Sequence, residues 1–171
     1  HFSAGHDIGT PEKDSNMPRS RATLWWDHLN KGGAERQYVL EQDGYLGLCR
    51  RWQDIPKPMI AMVQGACIAG GFMVANMCDL IVAADDAFFS DPVCHTLGAA
   101  AVEVLIHPWV MGARKAKEML FMGGRMTAAE AYRIGMVNKV VPRADLERET
   151  SAMAAHIAKA EPFALKLVKR S

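Results

Sequence analysis

The chain has 171 residues, 50% of them hydrophobic and 23% charged, an ordinary globular composition and about one domain's length. Twenty Lys and Arg stand against nineteen Asp and Glu, and a net charge of +1 argues against a protein built to hold a nucleic-acid backbone. No run approaches the ~18 apolar residues of a membrane-spanning helix, and His1 to Asp7 show no basic region followed by an apolar one, so neither a membrane span nor a signal peptide is expected.

Phe2-Ser3-Ala4-Gly5 reads as the end of a strand. From Gly9 to Gly33 the chain is polar and rich in turn formers, interrupted by Trp25 and Trp26, whose rings are costly to expose. Tyr38, Val39, Leu46, Cys49 and Trp52 then recur at roughly helical spacing until Pro56 and Pro58 end the helix. Met59 to Val63 is a continuous apolar run, the mark of a buried strand. Gln64-Gly65 turns, Ala69-Gly70-Gly71 opens a short helix to Met77, Asp79 closes it, and Leu80 to Ala84 is a second buried strand. That succession predicts a βαβ unit.

Ala87 to Ser90 predicts a further short strand, ended by Asp91-Pro92. Residues 98–122 are mainly helical, with Pro108 and Gly112 expected to split them. Thr127 and Glu130 have the spacing of a capping box, and Gly135 suits a left-handed helix terminator. A strand over Met136 to Val141 follows, then a helix capped by Asp145 that runs to about Ala160. Pro162 breaks it and Phe163 begins another. The chain starts as if inside a strand and stops as if inside a helix, and is expected to be a piece of something longer.

Cys49, Cys67, Cys78 and Cys94 are separated by 18, 11 and 16 positions, without the CxxC pair that zinc knuckles or thioredoxin-like sites need. They are read as reduced thiols of an intracellular protein. The six His lack the spacing of a helical ligand pair, so no metal site is expected. Two glycine turns stand out instead, Ala4-Gly5-His6-Asp7 and Ala69-Gly70-Gly71. Glycine lets a backbone approach a ligand, and a helix N-terminus offers unpaired N–H groups and a positive dipole end. Two such donors can form an oxyanion hole. The alternative is that both glycines only make turns. A nucleotide-phosphate loop is a weaker reading, because no Lys-Ser or Lys-Thr follows Gly71.

Taken in order, the segments 2–8, 56–61, 63–71 and 77–81 resemble the enoyl-CoA hydratase/isomerase (crotonase) family. Ala87-Phe88-Phe89-Ser90-Asp91-Pro92, 113–116, 123–128 and 131–141 agree in order as well, the likeness being weakest between residues 10 and 55. The resemblance implies an α/β fold, a crotonase-like spiral of ββα units with C-terminal helices. Residues 1–142 would form the spiral core and 143–171 the start of the helical region. It also implies an acyl-CoA thioester as substrate and a homotrimer or a dimer of trimers. No cofactor beyond the substrate's own coenzyme A is expected, and no nucleic-acid or membrane partner. The location implied is cytoplasmic.

Carried over by position, the oxyanion donors would be the backbone N–H groups of His6 and Gly70. Ala4, His6, Asp7, Ile8 and Gly9 would follow the coenzyme A moiety, Ala4 near the adenine, with Gly70 and Gly71 at the thioester. The family's hydratases use two carboxylates, and here those positions are Met73 and Val93, neither of which can move a proton. Glu103, at the start of the following helix, is the first substitute, a carboxylate whose apolar neighbours would raise its pKa toward a useful range. A solvated helix-face Glu is the alternative. Asp91 and His95 are second candidates, and Asp79 is read as structural. Met73, Val93 and Trp25 would line the acyl pocket, with Trp26 and Trp109 there or at a subunit contact. Arg114, Lys115 and Lys117 form either a phosphate-attracting cluster or a solvated face. An enzyme stabilising a thioester enolate is the first reading, and a non-catalytic acyl-CoA binder or oligomer partner is the second.

Overall fold

A computed structural model of the chain describes residues 1–5, 46–96 and 102–170. Helix α1 (Gly47–Gln53) carries buried Cys49. Strand β1 (Ile60–Val63) is followed by β2 (Ala66–Ile68), α2 (Gly70–Met77) and β3 (Leu80–Ala84). The predicted βαβ unit is therefore ββαβ, with a three-residue strand set between β1 and the helix. Strand β4 (Phe88–Ser90) leads into the single turn α3 (Val93–Thr96), then α4 (Val102–Met111) and α5 (Ala113–Met122). The remainder is β5 (Arg125–Thr127), α6 (Ala128–Arg133), β6 (Lys139–Val141), a 3₁₀ turn at Arg143–Asp145, α7 (Leu146–Ile157) and α8 (Pro162–Val168).

The described strands form two small sheets. In one, β3 lies between β1 and β6, all parallel, with Ala61 opposite Ile81 and Ala83 opposite Val140. In the other, β4 pairs in parallel with β2 and antiparallel with β5. Apolar residues from both sheets and from α2 meet in one core that includes Val63, Cys67, Phe72, Phe89, Met126 and Val137. Phe72 and Phe89 sit ring to ring at 5.3 Å. Val82 and Ala84 point the other way, toward Leu146 of α7, so β3 is covered on both faces as its unbroken apolar run requires.

The helix boundaries follow local chemistry with some exceptions. Thr127 Oγ1 accepts the Glu130 N–H at 3.2 Å as predicted, but the Glu130 carboxylate turns to Lys115 at 2.7 Å instead of closing the box. Gly112, at φ +80°, separates α4 from α5, whereas Pro108 lies inside α4 without ending it. Asp145 precedes α7 but does not cap it, since its carboxylate accepts from Arg148 at 2.9 Å. Glu161 does cap α8, accepting the Ala164 N–H at 2.7 Å ahead of Pro162 at the first helical position. Asp79 is structural, accepting from the Met59 N–H and the Lys169 ammonium, both at 2.7 Å. Among the described residues no helix is long and apolar enough to cross a membrane.

Residues 1–5 run alongside β2. Ser3 bridges Cys67 in parallel, its N–H donates to Ala66 O, and its carbonyl accepts the Ile68 N–H, each at 3.0 Å. The approach is so close that a Cβ built on Gly71 would lie 2.3 Å from Ser3 Cβ. Gly71→Ala is therefore expected to lower stability by about 1–3 kcal/mol through overpacking. Gly124→Ala, where an added Cβ meets nothing within 4 Å, is the control. Urea denaturation of both variants checks this.

Candidate active site

Two parallel segments that pair side by side also end side by side. Residue 3 pairs with residue 67, so the chain after Ala4 and the chain after Ile68 leave the sheet at the same edge. A Cβ on Gly5 would sit 3.2 Å from Ala69 Cβ, and Gly5 itself has φ +90°, with its N–H donated to Ser3 Oγ at 3.2 Å. The two glycine turns singled out in the sequence are thus in contact at Gly5 and Ala69. His6, Asp7, Ile8, Gly9 and Trp25 lie outside the described residues, while Ala4 is exposed at the last described turn before them.

Ala69 holds a backbone conformation that favours glycine, φ 47° and ψ −116°. It is anchored by its own N–H, which donates to Ser90 O at 3.0 Å. Its carbonyl accepts the Met73 N–H at 2.9 Å and starts α2. With no side-chain cap available from Ala69, the N–H of Gly70 makes no hydrogen bond with any described residue. It is a backbone donor at the positive end of a helix, beside a second glycine turn.

Met73 lies one turn into α2 and is 3% exposed, in an apolar cluster with Leu46, Cys49, Met77 and Ile106. Val93, 4% exposed, opens α3. Both positions are buried and apolar. Glu103 is in the first turn of α4 and is also 4% exposed, so it is not a solvated helix-face carboxylate. It lies within electrostatic range of the Cys49 thiol, which burial and then the Glu103 charge push up from its ordinary pKa. Glu103 therefore faces the cluster that contains Met73.

Asp91 is fully buried. Its Oδ1 accepts the Val93 N–H at 3.3 Å and its Oδ2 accepts from His107 Nε2 at 2.8 Å. His107 was not singled out in the sequence, although a lone His one helical turn after Glu103 on an otherwise apolar helix was a legible signal. His95 is exposed, with Nε2 at 2.7 Å from Phe121 O, and lies away from this cluster. Lys115 is engaged by Glu118 and Glu130, and Arg114 and Lys117 are exposed, so that run is a solvated face with one ion-paired lysine. Trp109 is 88% exposed and lines no described cavity. A cavity of about 510 Å³ lies elsewhere, between α7, α8 and the start of β1.

A backbone donor at a helix start, the buried apolar Met73 and Val93, and two buried carboxylates, Glu103 and the His107-bonded Asp91, are a set of groups suited to chemistry at an anionic oxygen. The enoyl-CoA hydratase/isomerase family model matches residues 25–171, and the chain belongs to that family. It is 39% identical over 173 residues to EchA13 of Mycobacterium tuberculosis, named as an enoyl-CoA hydratase, covering 99% of this chain and 54% of that protein. A crystal structure from Mycobacterium thermoresistibile, described as an enoyl-CoA hydratase, superposes with a TM-score of 0.80 at 46% identity, covering 99% of this chain and 62% of that one. A monofunctional enoyl-CoA isomerase from M. smegmatis superposes at 0.68 with 31% identity, covering 74% and 60%. These neighbours establish the crotonase-like α/β fold. The chain spans about half the length of the curated relatives it matches, 54% and 51%.

A non-glycine residue at the Ala69 geometry costs on the order of 1–3 kcal/mol, partly offset by the smaller freedom of Ala when unfolded. Ala69→Gly is expected to raise stability by about 1 kcal/mol, read as a higher urea midpoint with an unchanged slope. A lower midpoint would mean that the methyl group's packing outweighs the strain.

Proposed function

We propose that this protein processes an acyl-CoA thioester by stabilising its enolate, with the N–H groups of His6 and Gly70 as the oxyanion donors. The observation that carries the reading is the Gly70 N–H at the start of α2, which has no hydrogen-bond partner among the described residues and lies beside the Gly5 turn that leads directly into His6. A thioester carbonyl polarised by two fixed donors gains most when charge moves onto its oxygen, so the interaction strengthens toward the transition state. Each donor is worth about 3 kcal/mol.

The choice of reaction rests on the carboxylates. Adding water across a double bond needs one group to activate water and another to supply a proton, and the two usual positions hold buried Met73 and Val93. A 1,3-shift of a double bond needs one shuttle alone. The base takes a proton from C2 of a 3-enoyl thioester, the electron pair spreads onto the carbonyl oxygen, and the same group returns the proton at C4. Glu103, buried on the face toward Met73, is assigned as that shuttle. Isomerisation or another single-base enolate reaction is therefore favoured over hydration, within a family whose solved members include an enoyl-CoA isomerase.

In this reading Ala4, His6, Asp7, Ile8 and Gly9 follow the coenzyme A moiety, Gly70 and Gly71 meet the thioester, and Met73, Val93 and Trp25 line the acyl pocket. The substrate brings its own coenzyme A and no further cofactor is called for. The enzyme is assigned to the cytoplasm as a homotrimer or a dimer of trimers, acting in fatty-acid metabolism.

Turnover of 2-enoyl and 3-enoyl thioesters by the full chain tests the proposal. The 3-enoyl substrate should isomerise faster than the 2-enoyl substrate hydrates. Glu103→Gln should lower kcat by about 100-fold or more, the usual range for a lost acid–base group. Gly70→Pro removes one N–H at the first position of α2, and should lower kcat/KM by about 100-fold or more. Thermal unfolding would verify that each variant is folded. Unchanged turnover in a folded Gly70→Pro protein would remove the oxyanion assignment.

A further inference from the structure

Three buried polar side chains, none of them in the assigned proton or oxyanion machinery, form one hydrogen-bonded chain behind it. Asp91 and His107 both have side chains with 0% exposure and meet at 2.8 Å, while His107 Nδ1 lies 3.4 Å from Asn76 Nδ2. A carboxylate can only accept, so the His107 proton sits on Nε2 and points at Asp91. That leaves Nδ1 to accept from the Asn76 amide. In this orientation of the amide the buried Asn76 Oδ1 has no partner among the described residues. The imidazole also stacks, tilted, on Phe72 at 4.7 Å.

Each member stands on a different element. Asn76 and Phe72 are on α2, whose first residue is Gly70 and whose next turn holds Met73. Asp91 precedes α3 and accepts the Val93 N–H. His107 is on α4, one helical turn beyond Glu103 and therefore on the same face. The Asp91–His107 bond spans a separation of 16 residues and closes a loop that contains both Val93 and Glu103.

We propose that Asn76–His107–Asp91 is a positioning relay, in which His107 fixes the rotation of α4 against α2 and so sets where Glu103 carries its proton. This rests on Glu103 being the proton shuttle. The proposed role needs no contact between these three side chains and the substrate. Without the relay α4 keeps its apolar contacts but loses a buried directional tie that helps select one rotation, because hydrophobic packing alone is not directional. An error of about 1 Å at the reacting carbon is enough to cost about 100-fold in rate.

The test compares kcat, KM and the pH profile of kcat/KM for the full-length chain and its variants. His107→Gln keeps a donor in reach of Asp91 and is expected to hold kcat within about 3-fold of the parent. His107→Phe keeps the contact with Phe72 but strands a buried carboxylate, so Asp91→Asn/His107→Phe is made beside it to remove the stranded charge. Both are expected to lose at least 10-fold in kcat with KM within about 3-fold, and to move a limb of the pH profile by half a unit or more. The relay is overturned if the folded double variant keeps the parent's kcat and pH limbs, or if His107→Gln falls as far as His107→Phe. Glu103→Gln separates the two ideas. Full turnover in that variant removes the shuttle itself, whereas its loss together with silent His107 variants removes only the relay.

Discussion

The parallel bridge between Ser3 and Cys67 is the contact on which the arrangement depends. Parallel neighbours finish at the same edge of a sheet, so two turns separated by more than sixty residues in sequence meet without any other device. Both are glycine turns because the approach leaves no room for side chains. A Cβ on Gly71 collides with Ser3, and one on Gly5 crowds Ala69. The same closeness that demands small residues brings the Gly5 turn against the start of α2. In open α/β architectures the carboxyl ends of parallel strands are where ligands bind, and the Gly5 and Ala69 turns lie at such an end.

The two sheets and the helices hold this edge rigid. Burial of Cys67 and Phe89 on paired strands ties β2 and β4 to the core, and Phe72 on α2 packs against Phe89 from the helix that starts at Gly70. The strained Ala69 persists because hydrogen bonds on both sides over-determine it, through Ser90 and Met73. Strain, donor and small residues thus occur at one junction, where a protein that stabilises charge on a ligand oxygen would need them. Burial of Cys67 at that junction pushes its thiol well up, which makes it a packing residue and not a nucleophile.

Much of this was legible before any coordinates. Ala69-Gly70-Gly71 at the head of an apolar octet, the apolar run Leu80–Ala84, the Thr127 cap and the left-handed Gly135 all follow from residue type and spacing. β2 and β5 were missed because three residues cannot display a period of two, and long-range pairing alone makes them strands. Pro108 failed to break α4 because His107 and Met111 on either side are buried, and tertiary packing overrides a local breaker. Within the site, Met73, Val93 and Glu103 were identifiable by position, and their burial was not. His107 escaped notice because its partner Asp91 is distant in sequence. Proximity of that kind is set by the fold.

Stabilisation of negative charge on a thioester oxygen at the start of α2 is the proposal on which the assigned function rests. Its most direct measurement is exchange of the α-protons of a saturated acyl-CoA with solvent deuterium, followed by NMR in the presence of the full chain. Such a substrate can form the enolate and go no further, so exchange reports the intermediate without depending on which reaction follows. Exchange well above the buffer rate, carried by the intact Gly70 N–H, is expected. Tight binding of the same thioester with exchange no faster than in buffer would contradict it, leaving an acyl-CoA-binding fold without the chemistry.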